Sequence, residues 1–265
     1  MRRWWWVAGG VAIVVLVAGV VLLVVLDIDQ PGPASVDDAV ERFEPGSDGG
    51  QGAHPIRPPE GVYEYAGDGV ENLSFPPLSQ RDGAVVPGTV THLDDGCFRF
   101  RLDYNAAHWQ DWRYCPVDGR MADTGGTTHQ AWDLGVTTIE NRSTFECDPP
   151  GPILPPEGPA WSVEHTCTGT NDQVDGLTTS DGPWRYVGTD IVTVGGTEVD
   201  ALRFRGERTI GGVQDGRQVN EAWFRDDGLL LRADRELEVV SPSPVGEVTY
   251  TEEGRVVLGD LEPRR

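Results

Sequence analysis

The chain has 265 residues, with 43 acidic against 21 basic side chains and a formal net charge of −22. A polyanion of this kind repels phosphate backbones and anionic headgroups, which argues against nucleic acid as a partner. Every basic residue is Arg, and with the abundance of Ala, Gly, Val and Asp this marks a GC-rich genome, so the acidity reads as solubility rather than as a binding surface.

Residues Trp4 to Leu26 are 23 consecutive uncharged positions dominated by Val, Leu, Ala and Gly. As a helix that length spans the ~30 Å of bilayer hydrocarbon. Arg2 and Arg3 precede the run and Asp27 and Asp29 follow it. Residues 1–3 are therefore expected in the cytoplasm, with one membrane crossing and everything after it extracytoplasmic. The apolar run exceeds the ~7–15 residues of a signal-peptide core, so the anchor is expected to stay uncleaved. "LVAGV", Leu16 to Val20, resembles a lipoprotein-processing box but carries Val20 where the lipidated cysteine would stand. The indoles of Trp4, Trp5 and Trp6 suit the headgroup boundary.

Residues 27–59 are rich in Pro, Gly and acid and poor in large apolar side chains, and are expected to form a flexible stalk. Inside it, "SVDDAVERF" with Ser35 as a cap could form a short helix or a partner-binding segment. Residues 60–265 then make one extracytoplasmic β-domain.

That domain holds four cysteines, Cys97, Cys115, Cys147 and Cys167, which outside a membrane are expected to be oxidised. Three pairings are open. Folding residues 97–115 back about Ala106 sets Cys97 opposite Cys115, Phe98 opposite Tyr114, Phe100 opposite Trp112 and Arg101 opposite Asp111, with apolar and charged pairs on opposite faces. Locality then pairs Cys147 with Cys167 across the proline-rich "DPPGPILPPEGPAW". The spacing lacks C-x-x-C, and the five histidines (His54, His92, His108, His129, His165) form no close pair, so no metal and no cofactor is expected. No nucleophile-elbow or phosphate-loop motif is present, and no catalytic residue is assigned.

Beyond residue 182 the polar–apolar period is two almost throughout, broken at Gly195-Gly196, "GGVQDG", Asp226-Asp227-Gly228 and "SPSPVG". This is an antiparallel meander. In "LLLRADRELEVV", Leu229, Leu231, Ala233, Leu237 and Val239 share a dry face, and Arg232, Asp234, Glu236 and Glu238 a wet one. Arg235 occupies the dry phase and needs an acidic partner or a wet cavity. Glu221, in phase with Val219 and Trp223 on the neighbouring strand, is the natural candidate. Of the six tryptophans beyond the anchor (Trp109, Trp112, Trp132, Trp161, Trp184 and Trp223), most should be core, and any that face a cavity could stack on sugars or acyl chains. The candidate ligand contacts are therefore Trp184, Glu221, Trp223 and Arg235.

The stretch "WRYVGTDIVTVGGTEVDALRFRGERTIGG", with "GRQVNEAWFRDDGLLLRADRELEV" and "GEVTYTEEGRVVLGDLEP", resembles the C-terminal half of a group of uncharacterised membrane-anchored envelope proteins of high-GC Gram-positive bacteria. In that group a "GVYEY"-like start, paired cysteines and a "WF...GL..R" hairpin recur, and the resemblance covers most of residues 61–263. More distantly, the meander is similar to the half-barrels of periplasmic lipoprotein carriers, which cup acyl chains on a concave sheet. The resemblance implies a mainly β fold, a half-barrel or open barrel, and a non-enzymatic module that binds a lipid or glycan of the cell envelope. The alternatives are a structural protein contacting other envelope proteins, and an extracytoplasmic hydrolase.

Overall fold

The computed structural model describes residues 30–46, 57–135, 137–154, 160–244 and 246–265. The membrane span expected over residues 4–26 lies outside them. Among the described residues no helix is long and apolar enough to cross a membrane.

One short helix, α1 (Val36–Glu41), precedes thirteen strands: β1 (Gly61–Leu73), β2 (Leu78–Arg81), β3 (Val85–His92), β4 (Phe98–Asn105), β5 (His108–Val117), β6 (Arg120–Asp133), β7 (Thr138–Pro152), β8 (Trp161–Asn171), β9 (Val174–Val194), β10 (Thr197–Gly212), β11 (Asp215–Phe224), β12 (Leu230–Ser243) and β13 (Gly246–Leu258). From β3 to β13 each strand pairs antiparallel with the next, as the meander predicts. The turns at Gly195-Gly196 and Asp226-Asp227-Gly228 fall between strands as read, whereas "SPSPVG" is strand at residues 241–243 and again at Gly246, and "GGVQDG" is strand at residues 211–212 and 215–216. The hairpin of β4 and β5 has the expected register: Phe98 faces Tyr114, Phe100 faces Trp112 and Arg101 faces Asp111. Both disulfides are local, Cys97–Cys115 and Cys147–Cys167.

The expectation of a half-barrel or open barrel is corrected. β1 pairs with β13 over Tyr65–Leu73, so twelve strands close into a barrel, with β2 hydrogen-bonded beside the far half of β1. Closure needs curvature, and register shifts at Arg113/Tyr114, Arg203/Phe204 and Trp223/Phe224 supply local bends. It also pairs both end strands of the meander, β3 and β13, with β1.

Antiparallel order puts the β3–β4, β5–β6, β7–β8, β9–β10 and β11–β12 connections at one end. Apolar side chains near these connections fill that end: Phe98, Met121, Ile153, Val194, Leu229 and Leu231 are all buried. The base is therefore solid. The outer wall is ionic where β10 to β13 run: Glu221 takes Arg203 and Arg205, each at 2.6 Å, and Asp234 takes Arg232 and Arg255. Such a surface suits water rather than hydrocarbon.

Part of the expected stalk is not free of the domain. Ser35 accepts from the Asp38 amide at 3.2 Å and caps α1, as its sequence suggests. Val36 and Ala39 bury against Val62, Asp37 pairs with Arg264 at 2.6 Å, and the Ala106 amide bonds the Gly32 carbonyl. A few apolar contacts and caps suffice to lay residues 30–46 along the barrel wall, which composition alone does not show.

Candidate functional site

Above the filled base the lumen stays hollow, with a cavity of about 690 Å3 that reaches the opposite rim. Strand alternation builds its wall. On β12, Ala233, Arg235, Leu237 and Val239 point inward, while Arg232 and Asp234 face out. Trp184, Phe224, Ile210 and Leu237 give apolar wall; Asn141, Ser143, Gln218 and Asn220 give hydrogen-bonding wall. At the rim, Phe75 is 55% and Ile139 39% exposed.

The four candidate contacts divide by face. Arg235 and Trp184 line the lumen. Trp184 stacks on Phe204 at 5.6 Å, and its indole N–H donates to the Pro152 carbonyl. Glu221 and Trp223 turn outward. Trp223 lies under the guanidinium groups of Arg203 and Arg232 and donates to Asp190 at 3.0 Å. Glu221 is held by Arg203 and Arg205 on the same outer face. The expected Arg235–Glu221 pair is thus corrected: the two are on neighbouring strands but on opposite faces, since Asn220, not Glu221, sits opposite Arg235.

The partners of Arg235 are Asp82, at 2.7 Å, and Glu252. Its guanidinium also lies 3.8 Å from the Tyr104 ring centroid. Gly254 and Gly69, paired across β13 and β1, make the room: a Cβ on Gly254 would lie 2.8 Å from the guanidinium, and one on Gly69 2.2 Å from Asp82 Oδ2. The cluster continues through the Tyr250 hydroxyl, which lies 2.9 Å from Glu71 and 3.0 Å from Glu252 with one proton to share between them and accepts from Gln130, and ends where Glu71 meets His108 at 2.6 Å. Burial would strip His108 of its proton, yet the Glu71 carboxylate holds its pKa above the ordinary histidine value. Burial raises Asp82 against the pull of Arg235, whereas for Glu252 the cations Arg235 and His108 overcome burial and lower it. Glu71, Asp82 and His108 present three ligand-type atoms within 4.8 Å of one another. The Glu71–His108 and Asp82–Arg235 contacts already give these groups opposite charges, so the set reads as an ion-pair network bracing the seam between β1 and β13.

A second lumenal group surrounds Cys147–Cys167. Arg208 Nη1 lies 3.5 Å from Cys167 Sγ, and Nη2 contacts His165 Nδ1. Burial first, then Arg208, press the His165 pKa down to about 3, so the ring is neutral. Across from it, burial pushes Asp123 up to about 6. With both sulfurs in the disulfide, the Cys147, His165, Cys167 grouping has no thiolate to offer a metal.

Sequence reasoning found Arg235 and missed Glu71, Arg208 and Glu252. The same signal marks them: Arg208 shares the inward phase of Phe204 and Ile210, Glu252 that of Val256 and Leu258, and Glu71 that of Tyr65. Comparison of the chain with protein-family models, curated proteins and solved structures finds no match.

Proposed function

We propose that the barrel is a non-enzymatic binding module for a hydrophobic or amphiphilic molecule of the cell envelope, held on the extracytoplasmic side of a membrane by the apolar segment at residues 4–26. The observation that carries this is the cavity of about 690 Å3, a size typical of small-molecule sites, set in a barrel that is solid at one end and apolar at its rim. The exposed Phe75 and Ile139 at the rim suit uptake of an apolar chain from a bilayer. Of the inward histidines, His108 is fully buried against Glu71 and does not line the cavity, and His165 is held by Arg208, which favours binding over hydrolysis. The test is native mass spectrometry of the full chain extracted gently from its membrane. A co-purifying lipid or glycolipid should be lost when Ala233→Trp fills the lumen. Retention of the same adduct by that variant would place the ligand elsewhere and defeat the proposal.

The second reading, contact with other envelope proteins, draws on Val187 and Ile191, which are 47% and 59% exposed on β9. Crosslinking in cells that captures one protein reproducibly, dependent on Ile191, would favour it.

A further inference from the structure

Arg208 differs from the other lumenal cation. Arg235 has two carboxylates in contact. Among the described residues no carboxylate forms an ion pair with Arg208, and Asp123 and Asp181 act on it only at longer range. What it touches is uncharged: the disulfide sulfur of Cys167 and the neutral ring of His165. Its Nε–H is buried without any acceptor among the described residues. A guanidinium taken from water into a barrel without a paired anion is costly, and burial indeed lowers its pKa. It nevertheless stands in the lumenal phase of β10, bordering the cavity beside Trp184, Phe145 and Ile210. A buried cation without an ion-paired carboxylate, flanked by Trp184, Phe145 and Ile210, is matched by a ligand with one anionic oxygen group on an apolar chain, because a guanidinium offers carboxylate or phosphate a planar fork of N–H donors.

We infer that the cavity takes a singly headed anionic amphiphile, its carboxylate or phosphate seated against Arg208 and its chain along the Trp184–Ile210 wall. This rests on the binding-module reading above and specifies its ligand class. Gln218, opposite Arg208 across β10 and β11, also lines the cavity and adds a neutral donor beside the head, while Asp123, which lines the cavity too, acts on Arg208 at longer range without an ion pair.

The experiment uses the full chain in amphipol and a neutral fluorescent probe, N-phenyl-1-naphthylamine, displaced by matched competitors. Dodecanoate and dodecyl phosphate should displace it at least tenfold more tightly than dodecanol. Acetate and inorganic phosphate, with the charge but no chain, should fail at millimolar concentration; displacement by inorganic phosphate as strong as by dodecyl phosphate would overturn the amphiphile assignment in favour of a plain anion site. Arg208→Gln should erase the preference and leave dodecanol unchanged, while Arg208→Lys should keep part of it. Equal displacement by dodecanoate and dodecanol in the natural chain would overturn the inference and leave the binding-module reading standing. Failure of probe and every competitor to bind would defeat that reading and the inference with it. The comparison within the natural chain needs no variant, so misfolding of Arg208→Gln does not remove the test.

Discussion

Replacing Arg235 by Leu removes the cation that contacts Asp82 and Glu252 at once. Both carboxylates belong to a cluster with Glu71, Tyr104 and His108, and the Asp82 side chain is 0% exposed. Before substitution the cluster holds three carboxylates against Arg235 and a protonated His108. Afterwards one imidazolium remains. Breaking a buried pair by deleting one partner costs about 3–5 kcal/mol, because the surviving charge is left desolvated. With a urea m-value near 3 kcal/mol/M for a domain of this size, the midpoint should fall by about 1–2 M. The deficit should also depend on pH. Without Arg235, the folded-state pKa values of Asp82 and Glu252 rise above their unfolded values. An acid shifted in that sense contributes its stability below the unfolded pKa and loses it as pH rises through the folded pKa. The variant should therefore be weakest at neutral pH and approach the natural protein towards pH 4. Urea titrations followed by tryptophan fluorescence at both pH values make the measurement. A loss below about 1 kcal/mol, or one that is the same at pH 4 and pH 7, would refute the assignment of Arg235 as the counter-ion of the seam.

Gly254→Ala places a methyl 2.8 Å from the Arg235 guanidinium and should destabilise the natural chain. Combined with Arg235→Leu the loss should be less than the sum, and a double-mutant cycle that adds fully would separate the two sites. His108, raised by Glu71, should hold its proton above the ordinary histidine range; the stability this pair supplies is complete below that ordinary pKa and is lost as pH rises through the folded value. Ring 15N shifts should show Glu71→Gln lowering the titration midpoint, and an unmoved midpoint would count against the pair. Asp123, raised to about 6, should make the natural chain less stable as pH climbs from 4 to 6, and Asp123→Asn should flatten that slope in denaturation curves. Removing Cys97–Cys115 by a double Ala substitution should lower stability by about 3 kcal/mol, while an unchanged midpoint would show the bridge to be incidental.

Much of the wall was legible in the sequence because its interactions are local. A strand and its hairpin partner are a few residues apart, so the period-two pattern of "LLLRADRELEVV", the glycine turns and the 97–115 fold-back carry their own register. Inward phase marked Arg235 as a buried charge for the same reason. Which carboxylates answer it was not legible. Asp82 is 153 positions away and follows β2, outside the regular meander, and its proximity exists only once β13 has returned to β1. Glu221 looked suitable by nearness in sequence, but pairing across β11 and β12 sets it opposite Asp234 on the outer face. The hollow lumen has the same origin. Alternation tells which side chains turn inward, but whether twelve inward rows meet or leave a space depends on the circumference of the closed sheet, a property of all the strands together.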